Sequence, residues 1–387
     1  MQTMLKSEFR IARYMENINL DSHPHVQRCM SKTSFPASNV RHETSAASAQ
    51  NVSILFVATA IVFASITATC GFTATIPKDF STAVLIRVEK YGRGDFRTIQ
   101  EAIDSVPANN SELVFISVAP GIYKEKIIVP ANKPFITISG TKASHTKITW
   151  SDGGSILDSA TLTVLASHFV ARSLTIQNTY GSFGKAVALR VSADKAAFYG
   201  CRILSYQHTL LDDTGNHYYS KCYIEGATDF ISGNANSFFE RCLIHSLSTW
   251  GGAITAQKRV SSEENTGFTF LDCKISGVGK AVLGRPWGAY SRVVYALTYM
   301  SDVIVPQGWN DLNDHAKHNK LYYGEYRCSG PGADRSKRIA WSNSLSDVEA
   351  STFLSKDLTG RGTWLRNAAL KFKDDFTIND ANIKGNR

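Results

Sequence analysis

Cys201-Arg202-Ile203, Cys222-Tyr223-Ile224, Cys242-Leu243-Ile244 and Cys273-Lys274-Ile275 repeat one pattern, and aromatic residues precede each copy, at Phe198-Tyr199, Tyr218-Tyr219, Phe238-Phe239 and Phe268/Phe270. The steps between the cysteines are 21, 20 and 31 residues. Short β-rich units recurring every 20 to 30 residues or so mark a solenoid. A helical repeat would need 3.6-residue periodicity, which these segments lack. The pattern therefore predicts a parallel β-helix. Each coil gives one strand to each of several parallel sheets, and equivalent residues stack about 4.8 Å apart. The Cys and Ile columns should face inward as core ladders. Thiols at that spacing lie within disulfide reach, and they serve equally well as small buried hydrophobes, so the pairing stays open.

The same texture extends in both directions. From about Val84 the chain alternates β-rich runs, such as Phe135-Ile136-Thr137-Ile138-Ser139-Gly140 and Leu174-Thr175-Ile176-Gln177-Asn178-Thr179, with Gly, Asn, Asp and Ser breaks. The C-terminal third loses the repeat. There Asp347-Val348-Glu349-Ala350 and Trp364-Leu365-Arg366-Asn367-Ala368-Ala369-Leu370 read as short helices that pack along the solenoid or close its end, where an open edge would invite association.

The 387 residues are 43% hydrophobic, 11% aromatic and only 19% charged, which suits a large β core. A net charge of +9 suits a polyanionic partner: nucleic acid, acidic polysaccharide or anionic membrane. No zinc-finger spacing, RNP-like strand or Lys/Arg cluster supports nucleic acid. The seven cysteines include no C-x-x-C pair, so no metal site is expected from them.

Residues 1–51 form a polar extension, expected to be disordered. Val52 to Cys70 is apolar and uncharged, a length between a signal-peptide core and a spanning helix. Residues 52–74 are accordingly read as a signal peptide, with cleavage near Ala68-Thr69-Cys70, or as a signal anchor. Met30 is an alternative start. Asn109-Asn110-Ser111 is a glycosylation sequon in keeping with secretion.

Coil spacing points to the chemistry. Asp229 follows His208 by 21 residues, and His208 follows Lys185 by 23. Lys185, Gln207, His208 and Asp229 should therefore lie on neighbouring rungs of one face. A carboxylate beside an amide, an imidazole and a cation is a hydrolytic constellation, and it is also what a solvated polar face looks like.

A set of ordered motifs decides between these readings. Gly94-Asp95-Phe96-Arg97-Thr98-Ile99-Gln100, Gly121-Ile122-Tyr123-Lys124-Glu125, Ala186-Val187-Ala188-Leu189 and Gln207-His208-Thr209-Leu210 come first. Asp229-Phe230-Ile231-Ser232-Gly233-Asn234, Ile254-Thr255-Ala256-Gln257 and Leu283-Gly284-Arg285-Pro286-Trp287 follow, then Gly308-Trp309, Glu325-Tyr326 and Gly330-Pro331-Gly332. With these the chain resembles the plant pectin methylesterases, in the form without the inhibitor-like pro-region. The resemblance implies an all-β, right-handed parallel β-helix, a single-stranded pectin-lyase-like solenoid with short C-terminal helices, as a catalytic domain over 84–380. It also implies an aspartyl esterase, with no metal or organic cofactor, acting on methyl-esterified homogalacturonan. In that reading Asp229 is the nucleophile, Arg285 holds it ionised and oriented, and Gln207 donates to the oxyanion. Trp287, Arg285, Tyr206 and Phe230 are the residues expected to meet the sugar. A monomer secreted to the cell wall is implied, with anchoring through 52–70 as the alternative, and a proteinaceous pectinesterase inhibitor as a second partner.

Two positions depart from the family pattern. His208 stands where an Asp usually serves as acid and base, and Lys185 where a second oxyanion Gln usually stands. His208 can act as acid and then base, because an unperturbed imidazole titrates near ~6.5. Lys185 can stabilise an oxyanion as a point charge. Against this, added cations would tie Asp229 into ion pairs, and loss of a general acid costs about 10²–10⁴ in rate. The alternative is an impaired or inactive wall protein that binds pectin or a protein partner. Asp212 could replace the missing Asp only through a tight bend and is expected in a turn. Leu312 stands where the family often has a second Trp. Pectate lyases and polygalacturonases, the other β-helix enzymes, need calcium-binding or clustered carboxylates that the cleft motifs lack.

Overall fold

The computed structural model describes residues 83–355 and 364–365. The N-terminal extension, the 52–74 segment, Cys29, Cys70 and most of the helix expected at 364–370 lie outside the described residues. Among these residues the strands form three parallel sheets of 11, 7 and 8 strands, and successive coils contribute successive strands to each. This is the all-β, right-handed parallel β-helix that the repeat predicts.

The columns face inward as expected. Ile148, Ile176, Ile203, Ile224, Ile244, Ile275 and Met300 stack in register through the eight-stranded sheet, and all are fully buried. In the eleven-stranded sheet the aromatic column stacks ring on ring. Phe198–Tyr219, Tyr219–Phe239, Phe239–Phe270 and Phe270–Tyr295 have centroids 4.9, 4.6, 4.5 and 4.5 Å apart, with rings near parallel. Such pairs add about 0.5–1.5 kcal/mol each beyond the area they bury.

One left-handed residue per coil makes the corner between these two sheets. Ser173, Gly200, Lys221, Arg241, Asp272, Leu297 and Arg327 all have φ between 45° and 58°, a conformation costing non-glycine residues roughly 1–2 kcal/mol. The next residue is the column Leu174, Cys201, Cys222, Cys242, Cys273, Thr298, Cys328. Its donors reach back one coil to the main chain of the aromatic stack. The thiols of Cys222, Cys242, Cys273 and Cys328 donate to the carbonyls of Phe198, Tyr219, Phe239 and Tyr295 at 3.4–3.5 Å. Thr298 does the same to Phe270 at 3.5 Å. The open question of pairing is thereby answered: Cys201, Cys222, Cys242, Cys273 and Cys328 are free thiols that satisfy corner carbonyls.

Helix α1, Ile99–Ser105, opens the solenoid behind a capping box of Thr98 and Glu101 and buries Ile99, Ala102 and Ile103. Glu125 accepts from the amides of Ile99 and Gln100 at its N-terminus, where the orphan donors and the helix dipole favour a carboxylate. Helix α2, Asp347–Leu354, lays Ala350 against Val294, Ala296, Tyr326 and Leu345 on the outer face of the large sheet. The long 31-residue step is a coil widened by loops at 247–251 and 258–266.

Candidate active site

The seven-stranded sheet carries the site. Leu189 pairs with Leu210 and Leu210 with Ile231, so residues 21 apart stand level and His208 lies beside Asp229. A bridge between Gln207 and Thr228 extends this pairing. His208 and Asp229 both have positive φ, 60° and 47°. Non-glycine residues rarely adopt that region, and at these two stacked positions, as at the corner column, it turns the chain. Its consequence is a break in strand alternation. Phe230 and Ile231 are consecutive yet both fully buried in the core.

Asp229 has a side chain only 3% exposed, and Arg285 holds both its oxygens. Arg285 Nε donates to Oδ1 at 2.6 Å and Nη2 to Oδ2 at 2.5 Å, a bidentate charge-assisted pair. Arg285 follows the strand Ala281–Gly284 and reaches back across the strand Gly252–Gln257. Its backbone is well supported, because Gly284 bridges to Trp309 and Trp309 Nε1 donates to Glu325 at 3.2 Å. Buried Glu325 in turn pairs with Arg335 at 2.6 Å and Arg338 at 2.9 Å. Two motifs read as family landmarks, Gly308-Trp309 and Glu325-Tyr326, thus brace the strand that presents Arg285.

His208 is buried, with Nδ1 3.2 Å from the main-chain oxygen of Asp229. A carbonyl oxygen only accepts, so Nδ1 carries the proton and Nε2 of the neutral ring keeps its lone pair. Trp287 meets the imidazole edge-to-face at 5.0 Å and is itself half-buried. Burial pushes the imidazole below its ordinary range; Asp229 opposes that shift, while Lys185 and Arg285 add to it.

Gln207 is half-buried, and its side-chain amide has no hydrogen-bond partner among the described residues, which leaves it available to a ligand. Lys185 is exposed. The coil register places it level with Tyr206 rather than His208, so it acts on the imidazole by charge rather than by contact. Tyr206 is half-buried.

Several expectations need correcting. Phe230 does not meet a sugar: it is fully buried in the core, turned there by the left-handed Asp229. Asp212 is not a turn carboxylate and does not replace the missing acid. It lies in the strand Leu210–Thr214, fully buried, and accepts from His217 Nδ1 at 2.6 Å, from Tyr219 at 2.7 Å and from Ser237. His217 Nε2 donates to the Ala193 carbonyl at 2.6 Å. Both ring nitrogens face acceptors, so His217 is an imidazolium paired with Asp212. The sequence reading missed this network, whose signal is an Asp and a His five apart across the turn at Gly215. Leu312 is 42% exposed with φ 60° and offers no aromatic face.

With this geometry established, comparison with known proteins identifies relatives. The Pectinesterase family model matches residues 85–362. "Putative pectinesterase 11" of Arabidopsis thaliana is 63% identical over 298 residues, covering 76% of this chain and 85% of that protein. The solved pectin methylesterase from carrot superposes with a TM-score of 0.70 at 34% identity, covering 73% of this chain and 94% of the carrot chain. The deglycosylated pectin methylesterase from Aspergillus niger gives 0.64 at 32%, covering 73% and 97%.

Proposed function

The chain belongs to the pectinesterase family, and we propose that it demethylates pectin with Asp229 as nucleophile. The reaction is hydrolysis of the methyl esters of galacturonan to pectate and methanol. The observation that carries the assignment of residues is the buried Asp229 carboxylate, gripped at both oxygens by Arg285 and standing one rung from the unpartnered amide of Gln207.

Each proposed step draws on a group of this site. An Asp229 oxygen attacks the C6 ester carbon, and Gln207 donates to the oxyanion as charge develops. The tetrahedral species collapses to an acyl-enzyme and expels methoxide, which takes its proton from Nε2–H of the His208 imidazolium and leaves as methanol. His208, now neutral with its lone pair at Nε2, removes a proton from water. The hydroxide attacks the acyl carbon and expels the Asp229 carboxylate, restoring the imidazolium, and the galacturonic acid carboxyl group formed loses its proton to solvent. The bond from Nδ1–H to the Asp229 carbonyl persists throughout and keeps the ring aligned. Lys185 adds positive charge at the rim, and Trp287 offers its half-buried face to the sugar.

Methanol release from highly methylated pectin across pH 5 to 9, with His208→Asp and Asp229→Ala alongside, tests this assignment. The reading requires activity in the native chain and none in Asp229→Ala.

Secretion to the cell wall is proposed with it. Asn109 of the sequon is exposed, and the charge of +9 favours retention on demethylated pectin, to a degree that salt reduces. A monomer and recognition by an inhibitor protein complete the proposal. Mass spectrometry of the mature N-terminus separates cleavage from anchoring, and size-exclusion chromatography with light scattering reads the assembly state.

A further inference from the structure

Two residues past Trp309 the chain turns through Asp311-Leu312-Asn313-Asp314-His315-Ala316-Lys317-His318. Leu312 and Asn313 are both left-handed, with φ of 60° and 59°, and the turn they make folds the segment back on Asp311. Asp311 Oδ2 then meets two imidazoles at once, His315 Nδ1 at 2.9 Å and His318 Nε2 at 2.8 Å. The three donor atoms lie within 4.8 Å of one another.

We propose that Asp311, His315 and His318 form a binding site for a divalent first-row transition ion of the copper or zinc type, separate from the esterase chemistry. Two imidazoles and one carboxylate are the donor set such ions favour, and calcium, which takes oxygen ligands, is not suited to it. A tetrahedral ion bound at roughly 2.0–2.1 Å needs donors about 3.3 Å apart, so Asp311 Oδ2 has to part from each imidazole nitrogen by only about half an ångström. Other contacts hold the donors in place. Oδ1 of Asp311 accepts from the Asn313 amide at 2.9 Å, which leaves Oδ2 to the histidines. The His318 ring stacks on Trp341 at 5.0 Å. Lys317, the nearest cation in sequence, is tied to Asp314 at 3.0 Å. His315 is 78% exposed, which leaves the remaining coordination positions to water.

The test uses the mature protein, carrying no polyhistidine tag and stripped with chelator. Isothermal titration with Cu²⁺ should saturate at one ion per chain, Zn²⁺ should compete and Ca²⁺ should not. The electron paramagnetic resonance spectrum should show splitting from imidazole nitrogens. His315→Ala, an exposed change that leaves the stack on Trp341 intact, and Asp311→Asn should each weaken binding by about tenfold or more, a scale on which even the outer partners of metal ligands act. Methanol release measured in chelator should stay within about twofold of the native value for both variants. No saturable binding, a spectrum without nitrogen splitting, or His315→Ala and Asp311→Asn binding as tightly as the native chain would overturn the site.

Discussion

His208 bonds to Asp229 through the main-chain oxygen of that residue, at 3.2 Å, and leaves the carboxylate to Arg285. The histidine therefore does not neutralise the Asp229 carboxylate, and its Nε2 stays available for the proton exchange proposed for it.

This arrangement predicts an acid-shifted enzyme. In the proposed cycle His208 starts protonated, and burial moves that ionisation below the ordinary imidazole value. Activity should therefore be highest on the acid side and should already be falling before pH reaches the ordinary imidazole value of about 6.5. His208→Asp should extend activity toward neutrality and raise kcat at pH 7 by about tenfold or more, within the range attributed to general acid catalysis. A native profile that climbs steadily from pH 5 to 9 would contradict the role given to His208.

Arg285→Lys should separate geometry from charge. A lysine keeps the positive charge and loses the fork that grips both Asp229 oxygens. The expected result is a fall of about 10²-fold in kcat, as when a positioned transition-state partner is lost, with far-UV circular dichroism unchanged. Retention of near-native kcat would show that the fork is dispensable.

The Asp212–His217 pair predicts a second pH dependence, of stability rather than rate. Burial alone would lower the His217 ionisation, but the charge and hydrogen bond of Asp212 outweigh it and the net shift is upward. A raised folded value means the contribution is complete below about pH 6.5, the unfolded imidazole value, and is lost as pH rises through the folded value. Urea midpoints measured from pH 5 to 9 should decline toward alkaline pH in the native chain and decline less in His217→Gln. Parallel curves would remove the pair from the account.

The thiol column should be chemically silent. Burial pushes the Cys201, Cys222 and Cys242 thiols well above their usual range and Cys328 to about 12, and the thiolate is the reactive form. Iodoacetamide followed by peptide mapping should label none of Cys201, Cys222, Cys242, Cys273 or Cys328 in the folded protein and all five after denaturation without reductant. A disulfide between any two would contradict the ladder.

The architecture was legible because it is periodic. The Cys and Ile spacing repeats once per coil, and register alone carries each column inward. The site was only partly legible, and the reason is local. Counting strand parity presumes an unbroken extended chain, yet His208 and Asp229 are left-handed and reset the alternation. That reset sends Phe230 to the core, and parity counted from His208 therefore gave no guide to Asp212, which is buried beside His217. Lys185 shows a milder version of the problem. Its 23-residue interval to His208 exceeds the 21-residue coil, so it sits at the rim, level with Tyr206. The support of Arg285 by Trp309 and Glu325 joins residues far apart in sequence, and no spacing rule announces it.

Attack on the ester by Asp229 is the proposed step on which the other residue roles depend. Methanol release from highly methylated pectin at pH 5.5 by the native chain and by Asp229→Ala tests it most directly. Measurable turnover is expected in the native protein and none above background in the variant, with both equally folded by circular dichroism. Turnover that survives Asp229→Ala would contradict it.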